Sequence, residues 1–252
     1  MTTPPNGKLD TVRKLLAKAE DQGTTPQEAE ALTAKAAELM ARHGIDRALL
    51  AASRPETDKP ANRIITIDNP WAGVKALLLG GLASAMRCQA IDISIRGDGQ
   101  GQRVHVFGFQ SDLERLDVLY TSLLLQMTSG LTRQQVPYAA YVHGHAKSWR
   151  RSWMVGFTAA AVARVKQAEA SAVQESAREQ AASGASGPGV ELVLADRSLA
   201  AKAALKDVYP KVRNIRTTVG SAGGYGAGHA AGQRADIGGT GVRAGAGRAL
   251  GR

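Results

Sequence analysis

Cysteine is nearly absent: Cys88 is the one thiol in 252 residues. That excludes an intramolecular disulfide framework and makes a reducing cytosol the expected compartment. Large aromatics are scarce, at 4% of the chain. Long apolar runs are missing as well. The best of them, Ala76 to Ala83, contains two glycines, and it falls far short of the roughly 20 residues that cross a bilayer. The start, Met1-Thr2-Thr3-Pro4-Pro5, has neither the charged beginning nor the apolar core of a signal peptide. No membrane role is expected. Chemical signatures are equally thin. The chain has no Gly-x-Ser-x-Gly elbow, no His-Glu-x-x-His, no Cys-x-x-Cys and no Gly-Lys-Ser/Thr phosphate loop. No carboxylate pair has a spacing that marks acid/base chemistry. A non-enzymatic protein without a cofactor is expected.

What the chain does have is positive charge: 32 Lys+Arg against 22 Asp+Glu, a net +10. The excess is uneven. Residues 1–132 are close to neutral, whereas residues 133–182 carry 7 basic and 3 acidic groups and residues 183–252 carry 10 and 4. An electrostatic partner would therefore meet the C-terminal half. At 44% hydrophobic the chain has enough apolar residues for a core.

Near the N-terminus, Leu9, Val12, Leu15, Leu16 and Ala19 recur at helical spacing over about residues 8–20. A second helix is marked by Thr25 as cap, Pro26 at the first helical position and Glu28 three residues after the cap. Its stripe runs Ala29, Leu32, Ala36, Leu39, Met40, and Gly44 reads as its left-handed exit. With only Asp21-Gln22-Gly23-Thr24 between them, the two helices are expected to fold back antiparallel. The clusters Lys14-Leu15-Leu16-Ala17-Lys18-Ala19-Glu20, Thr25-Pro26-Gln27-Glu28-Ala29-Glu30-Ala31, Lys35-Ala36-Ala37-Glu38-Leu39-Met40 and Gly44-Ile45-Asp46 resemble the N-terminal domain of an uncharacterised family of bacterial and phage proteins, domain of unknown function number 2786. The rest of the chain resembles, more loosely, the region that follows this domain in many members. The resemblance implies a helical hairpin and a bacterial or phage origin, and carries no reaction and no catalytic residue. The hairpin would serve as a packed helix pair or as a docking module for a protein partner or nucleic acid.

Residues 51–62, with Pro55 and Pro60, read as a linker. Beyond it, Ile64 to Ile67 suggests a short strand, and Asn69-Pro70 a cap and first turn for a helix carrying Val74, Leu77, Leu78, Leu82, Ala85 and Met86. Ile91, Ile93 and Ile95 alternate with polar residues, and Val104, Val106 and Phe107 follow the glycine-rich loop 97–101, a hairpin signal. Ser111 with Glu114 has capping-box spacing before the stripe Leu113, Leu116, Tyr120, Leu123, Leu124, Met127, Leu131. This order of helix, strand, strand and helix predicts an α+β fold: a two-layer core of helices on an antiparallel sheet. Cys88, without a partner, reads as a buried thiol.

Trp149, Trp153 and Phe157 are four apart beside Arg150 and Arg151. Such a face is either core or a base-stacking surface. His143-Gly144-His145 offers two imidazoles to a metal, and His105 or His229 would have to join them in space; alone they are insufficient for zinc, and the alternative is a polar helix start. The long helix should continue to about Ala182 and break at 184–189. Val190, Leu192 and Leu194 alternate like an edge strand, with Asp196 capping a last helix through Val208. From Gly220 onward the chain is rich in glycine, with Arg234, Arg243, Arg248 and Arg252 among it, and a flexible tail is expected; the alternative is a closely docked helix over the small residues around Tyr225, Ala227, Ala230, Ala231 and Ala235.

The domains expected are a hairpin at 1–50, a linker at 51–62, an α+β core at 63–218 and a glycine/alanine/arginine tail at 219–252. The leading function is phosphate-backbone binding to DNA or RNA through Lys202, Lys206, Lys211, Arg213, Arg216, Arg150, Arg151 and Arg234. The rivals are a metal-dependent hydrolase using His143 and His145, and a protein-docking or structural component.

Overall fold

The computed structural model describes residues 11–12, 14–15, 18, 26–94, 101–184, 188–212 and 219–235, with side chains for all of these but 26–34 and 37. Helix α1 is Pro26–Ser53, and Ala36, Met40, Ala41, Ile45 and Ala48 bury its apolar stripe. It does not end at Gly44 as expected. A Cβ at that position would overlap the Arg115 guanidinium, so glycine here lets the helix lie against Arg115 instead of stopping it. Residues 11–12, 14–15 and 18 are helical, and Val12 is buried in one apolar cluster with Ala36 and Met40. The hairpin turn 21–24 lies outside the described residues. The stretch 51–62, expected as a linker, holds the end of α1, a 3-10 turn at Pro55–Thr57 and the start of strand β1, Pro60–Ile67.

Helix α2 is Ala72–Ala85. It begins two residues later than Asn69-Pro70 suggested, because Trp71 is the N-cap, in the left-handed region at φ 68. Strands β2, Gln89–Asp92, and β3, Gln102–Phe109, pair antiparallel, and β1 joins the other edge of β3 in the order β1-β3-β2. His105 stands opposite both Ile64 and Ile91. Of the loop 97–101, only Gly101 is described. Helix α3 is Gln110–Thr132 and buries Leu113, Leu116, Leu119, Leu123 and Met127.

The α+β expectation holds: the structure is mostly helical around one small antiparallel sheet. Because strand side chains alternate, β3 turns Val104 and Val106 to the apolar core formed with α2 and α3. Its other face carries His105 and Phe107, which meet Tyr209 at ring distances of 5.7 and 6.1 Å. Tyr209 directly follows the helix Val190–Val208, so that face is covered too.

Two short connections lead to the longest helix. Helix α4 is Tyr138–Val142 and helix α5 is Ala146–Ser183, closed by Gly184 in the left-handed region. Both ends of α5 agree with the sequence reading. The strand at 190–194 does not exist: helix α6 runs Val190–Val208 from an N-cap at Gly189, so Asp196 caps nothing. Val190, Val193, Leu194, Arg197 and Ala201 are the buried positions, a helical period, and Leu192 points outward at 59% exposure. Over five residues the two periods overlap, and length decides. The tail begins with helix α7, Ala222–Gln233, in place of flexible chain. A Cβ at Gly228 would overlap the Trp153 carbonyl, and one at Gly156 the Tyr225 carbonyl, so α7 and α5 pack backbone to backbone. Residues 236–252, with Arg243, Arg248 and Arg252, lie outside the described residues.

Candidate functional site

The most conspicuous polar feature is buried. Asp58, Asp112 and Glu169 meet Arg87, Arg115 and Arg197, three negative charges against three positive, at the junction of the β1 approach, α3, α5 and α6. Arg197 donates from Nη2 to Asp58 Oδ2 and Asp112 Oδ2, each at 2.8 Å, and lies 3.8 Å over the Phe109 ring. Arg115 donates to Asp112 Oδ1 at 3.1 Å and to Glu169 Oε1. Glu169 Oε2 accepts from Arg87 at 2.9 Å. Asp58 also takes the Ser111 amide at 3.1 Å and the Ser111 hydroxyl at 2.6 Å. This corrects the capping-box reading of Ser111 and Glu114. The first turn of α3 is capped from 53 residues away, and Ser111 faces inward. Burying such a cluster is expensive unless its charges are paired and hydrogen-bonded; the charges balance one to one, while Arg87 Nε and Nη2, Arg115 Nε and Arg197 Nη1 have no hydrogen-bond partner. Its ion pairs tie α3, α5 and α6 together with the end of α2, and Arg115 lies against Gly44 of α1.

The candidate thiol and imidazoles are accounted for individually. Cys88 is buried, and that burial, with the Asp112 charge, pushes its thiol up to about 12. A thiol protonated at neutral pH is a poor nucleophile. His105 is bonded at both ring nitrogens, to Tyr209 Oη at 2.9 Å and to Asn62 Oδ1 at 3.0 Å, and burial lowers its pKa. His143 and His145 sit in the exposed turn between α4 and α5, with ring centres 6.4 Å apart. His229 stacks on Tyr225 of α7 at 6.0 Å. Among the described residues, no group of three or more His, Cys, Asp and Glu side chains gathers around any of them.

Trp149, Trp153 and Phe157 do share a face, and it is core. All three are buried, with Trp153 and Phe157 stacked at 5.7 Å. They cannot serve as a stacking platform. The exposed rings are on α4 instead: Tyr138 at 82% and Tyr141 at 52%.

The cations fall into two groups. Lys202, Lys206 and Lys211 are exposed along and just after α6; Arg213 and Arg216 lie outside the described residues. The second group surrounds the start of α5. Arg150 donates to Tyr141 Oη at 2.7 Å and sits 5.5 Å from that ring's centre. On one side, Lys147 and Arg151 line a cleft of about 540 Å³ with Trp71, Gly80, Asp92 and Gln102. On the other, Arg133 and Arg234 line a groove of about 340 Å³ with Gln126, Ser129 and Gln134. Arg164 is occupied elsewhere, holding the Gly232 carbonyl at 3.3 Å and the Ala235 carbonyl at the end of α7, where a cation complements the helix dipole. The first turn of α5 has no acidic residue and no side-chain cap, which leaves the positive end of its dipole to add to Lys147 and Arg151.

Sequence reasoning named Arg150, Arg151 and Arg234 of this second group but missed Arg133 and Lys147. The signal was present: from Val118 to Ala168 there is no Asp or Glu at all. Trp71, Gly80 and Gln102 carry no motif and are joined only by the fold.

Residues 7–47 match the family described as Protein of unknown function (DUF2786), so the N-terminal segment carries that domain. No curated protein and no solved structure matches the chain. Among the described residues no helix is long and apolar enough to cross a membrane.

Proposed function

We propose that this protein is a non-enzymatic, cytosolic component that binds single-stranded nucleic acid without sequence preference, on the surface formed by α4 and the first turns of α5. One observation carries the reading. The stretch from Val118 to Ala168, free of carboxylates, carries Arg133, Lys147, Arg150 and Arg151 together with exposed Tyr138 and Tyr141, and Arg150 lies against the Tyr141 ring. Phosphates are attracted by these cations, which outnumber the Asp92 carboxylate in the cleft beside them, and unpaired bases stack on exposed rings whatever their identity. A duplex would satisfy the cations but has no unstacked bases to offer the tyrosines, so the single strand is preferred. Arg150 adds to this by holding Tyr141 in place. Lys202, Lys206 and Lys211 are secondary: they sit on and just after α6 around Asp207, and none of the exposed rings described is on that helix.

Fluorescence anisotropy with a labelled 12-nucleotide strand at two salt concentrations tests the reading. Binding should weaken steeply with salt, by about 0.7 units of log affinity per contacted phosphate for each log unit of salt. An absence of binding at low salt refutes it.

A further inference from the structure

We infer that the cleft between α2, the β2–β3 hairpin and α5 takes one base of the bound strand; this rests on the nucleic-acid reading and deepens it. The cleft combines three things. Its mouth has the phosphate-binding cations Lys147 and Arg151. Its rim has the half-exposed Trp71 ring, and polar groups of both kinds in the Gln102 amide and the Asp92 carboxylate. Its floor is the side of α2 that carries Leu77 and Gly80.

Gly80 is the telling residue. Glycine inside a helix is less favourable than alanine, and most interior glycines here are explained by a neighbour. At Gly81, the next position, an added Cβ would collide with Val162 at 2.7 Å. At Gly80 a Cβ would meet nothing within 4 Å. The protein's own packing therefore does not require glycine at 80, and the space above it is open cleft. A bare helix backbone is what a flat ring needs to lie close. A volume of about 540 Å³ is in the range of small-ligand sites, large enough for a base and its sugar. The net charge at the rim, two cations against Asp92, suits a group with a single phosphate attached. Donor and acceptor groups together suit a base edge, which presents both, better than a plain anion such as inorganic phosphate.

The test uses the full chain and two labelled 12-nucleotide strands, one of thymidine and one of abasic sugar-phosphate units. The thymidine strand should bind at least about fivefold more tightly, since a stacked base contributes that much or more. Gly80→Leu, with its fold confirmed by circular dichroism, fills the floor. It should reduce this thymidine-to-abasic ratio severalfold while leaving abasic affinity and its salt dependence unchanged. A ratio near one in the unaltered protein overturns the cleft assignment together with the stacking on Tyr138 and Tyr141, leaving phosphate contacts alone; an unchanged ratio in folded Gly80→Leu overturns the cleft assignment and leaves the surface of α4 and α5 standing. Failure to bind either strand overturns both. Should Gly80→Leu not fold, a strand carrying 4-thiothymidine is crosslinked to the unaltered protein. Crosslinks on the peptide from Trp71 to Gly80 support the cleft, and crosslinks confined to other peptides refute it.

Discussion

Replacing Arg197 with methionine should cost this protein a large part of its stability, and the structure says why. Arg197 has 5% of its side chain exposed, and its partners Asp58 and Asp112 have 0% and 1%. Methionine fills similar volume along the Phe109 ring, so little cavity is created. What is lost is charge balance: Asp58 Oδ2 loses its 2.8 Å partner, and Asp112 Oδ2 loses contacts from Nη2 at 2.8 Å and Nε at 3.2 Å. Breaking one side of a buried pair costs about 3–5 kcal/mol, against a total of about 5–15 kcal/mol for a typical fold. In urea, with a slope of about 2–3 kcal/mol per molar, the midpoint should fall by about 1–2.5 M. Asp58→Asn in the Arg197→Met background removes the uncompensated charge while keeping an acceptor for Ser111. The double variant should therefore be about 1–3 kcal/mol more stable than the two single losses added together. An Arg197→Met protein within about 1 kcal/mol of the original, or losses that add within about 0.5 kcal/mol, would refute the view of this cluster as a charge-matched fastener.

Two further outcomes follow from the packing. Gly228→Ala places a methyl group against the Trp153 carbonyl, so α7 must move off α5; a loss of about 1–3 kcal/mol, as for other overpacked sites, should appear in thermal unfolding, with a changed tryptophan emission. Cys88 is held protonated, with its pKa raised from 9.0 to about 12 by burial and the Asp112 charge. A native-state thiol assay at pH 8 should show no reaction, and full reaction once the protein is unfolded. The sign for stability follows. Because the unfolded thiol ionises at lower pH than the folded one, this contribution is complete below about pH 9 and is lost as pH rises from 9 through 12. Tyr120, raised to about 12 by burial, acts in the same direction. Alkaline unfolding unaffected by Cys88→Ala would contradict this.

The parts of the fold legible in the sequence were those written in local, repeated signals. Helix α5 was readable at both ends because its apolar positions persist to a glycine that accepts the left-handed conformation. The β2–β3 hairpin was readable from alternation around a glycine-rich loop. The failures share a physical cause: a local motif was satisfied from a distance. Gly44 looked like a helix end and is a clearance for Arg115, which arrives from α3. Ser111 and Glu114 looked like a cap, and the cap is Asp58. The glycines of α7 favoured a flexible tail over the docked helix that its small residues also allowed, because nothing nearby in sequence shows that α5 offers a groove of bare backbone at Gly156. The charge cluster was invisible for the same reason. Asp58, Asp112, Arg115, Glu169 and Arg197 form no motif and are brought together only by tertiary packing. At the candidate site, charge was readable and placement was not. The basic excess of residues 133–182 pointed to the segment that carries the proposed surface, but the aromatic residues expected to stack with bases are buried, and Tyr138 and Tyr141 are the exposed ones.

The central claim is that single-stranded nucleic acid meets the start of α5 and not α6. The direct measurement compares salt dependence of strand binding in two triple variants, Lys147→Gln/Arg150→Gln/Arg151→Gln and Lys202→Gln/Lys206→Gln/Lys211→Gln, each with its fold confirmed. At about 0.7 log units per lost phosphate contact on a single strand, the first should make the slope about two units shallower and the second should leave it unchanged. An unchanged slope in the first variant, or the loss appearing in the second, would contradict the account.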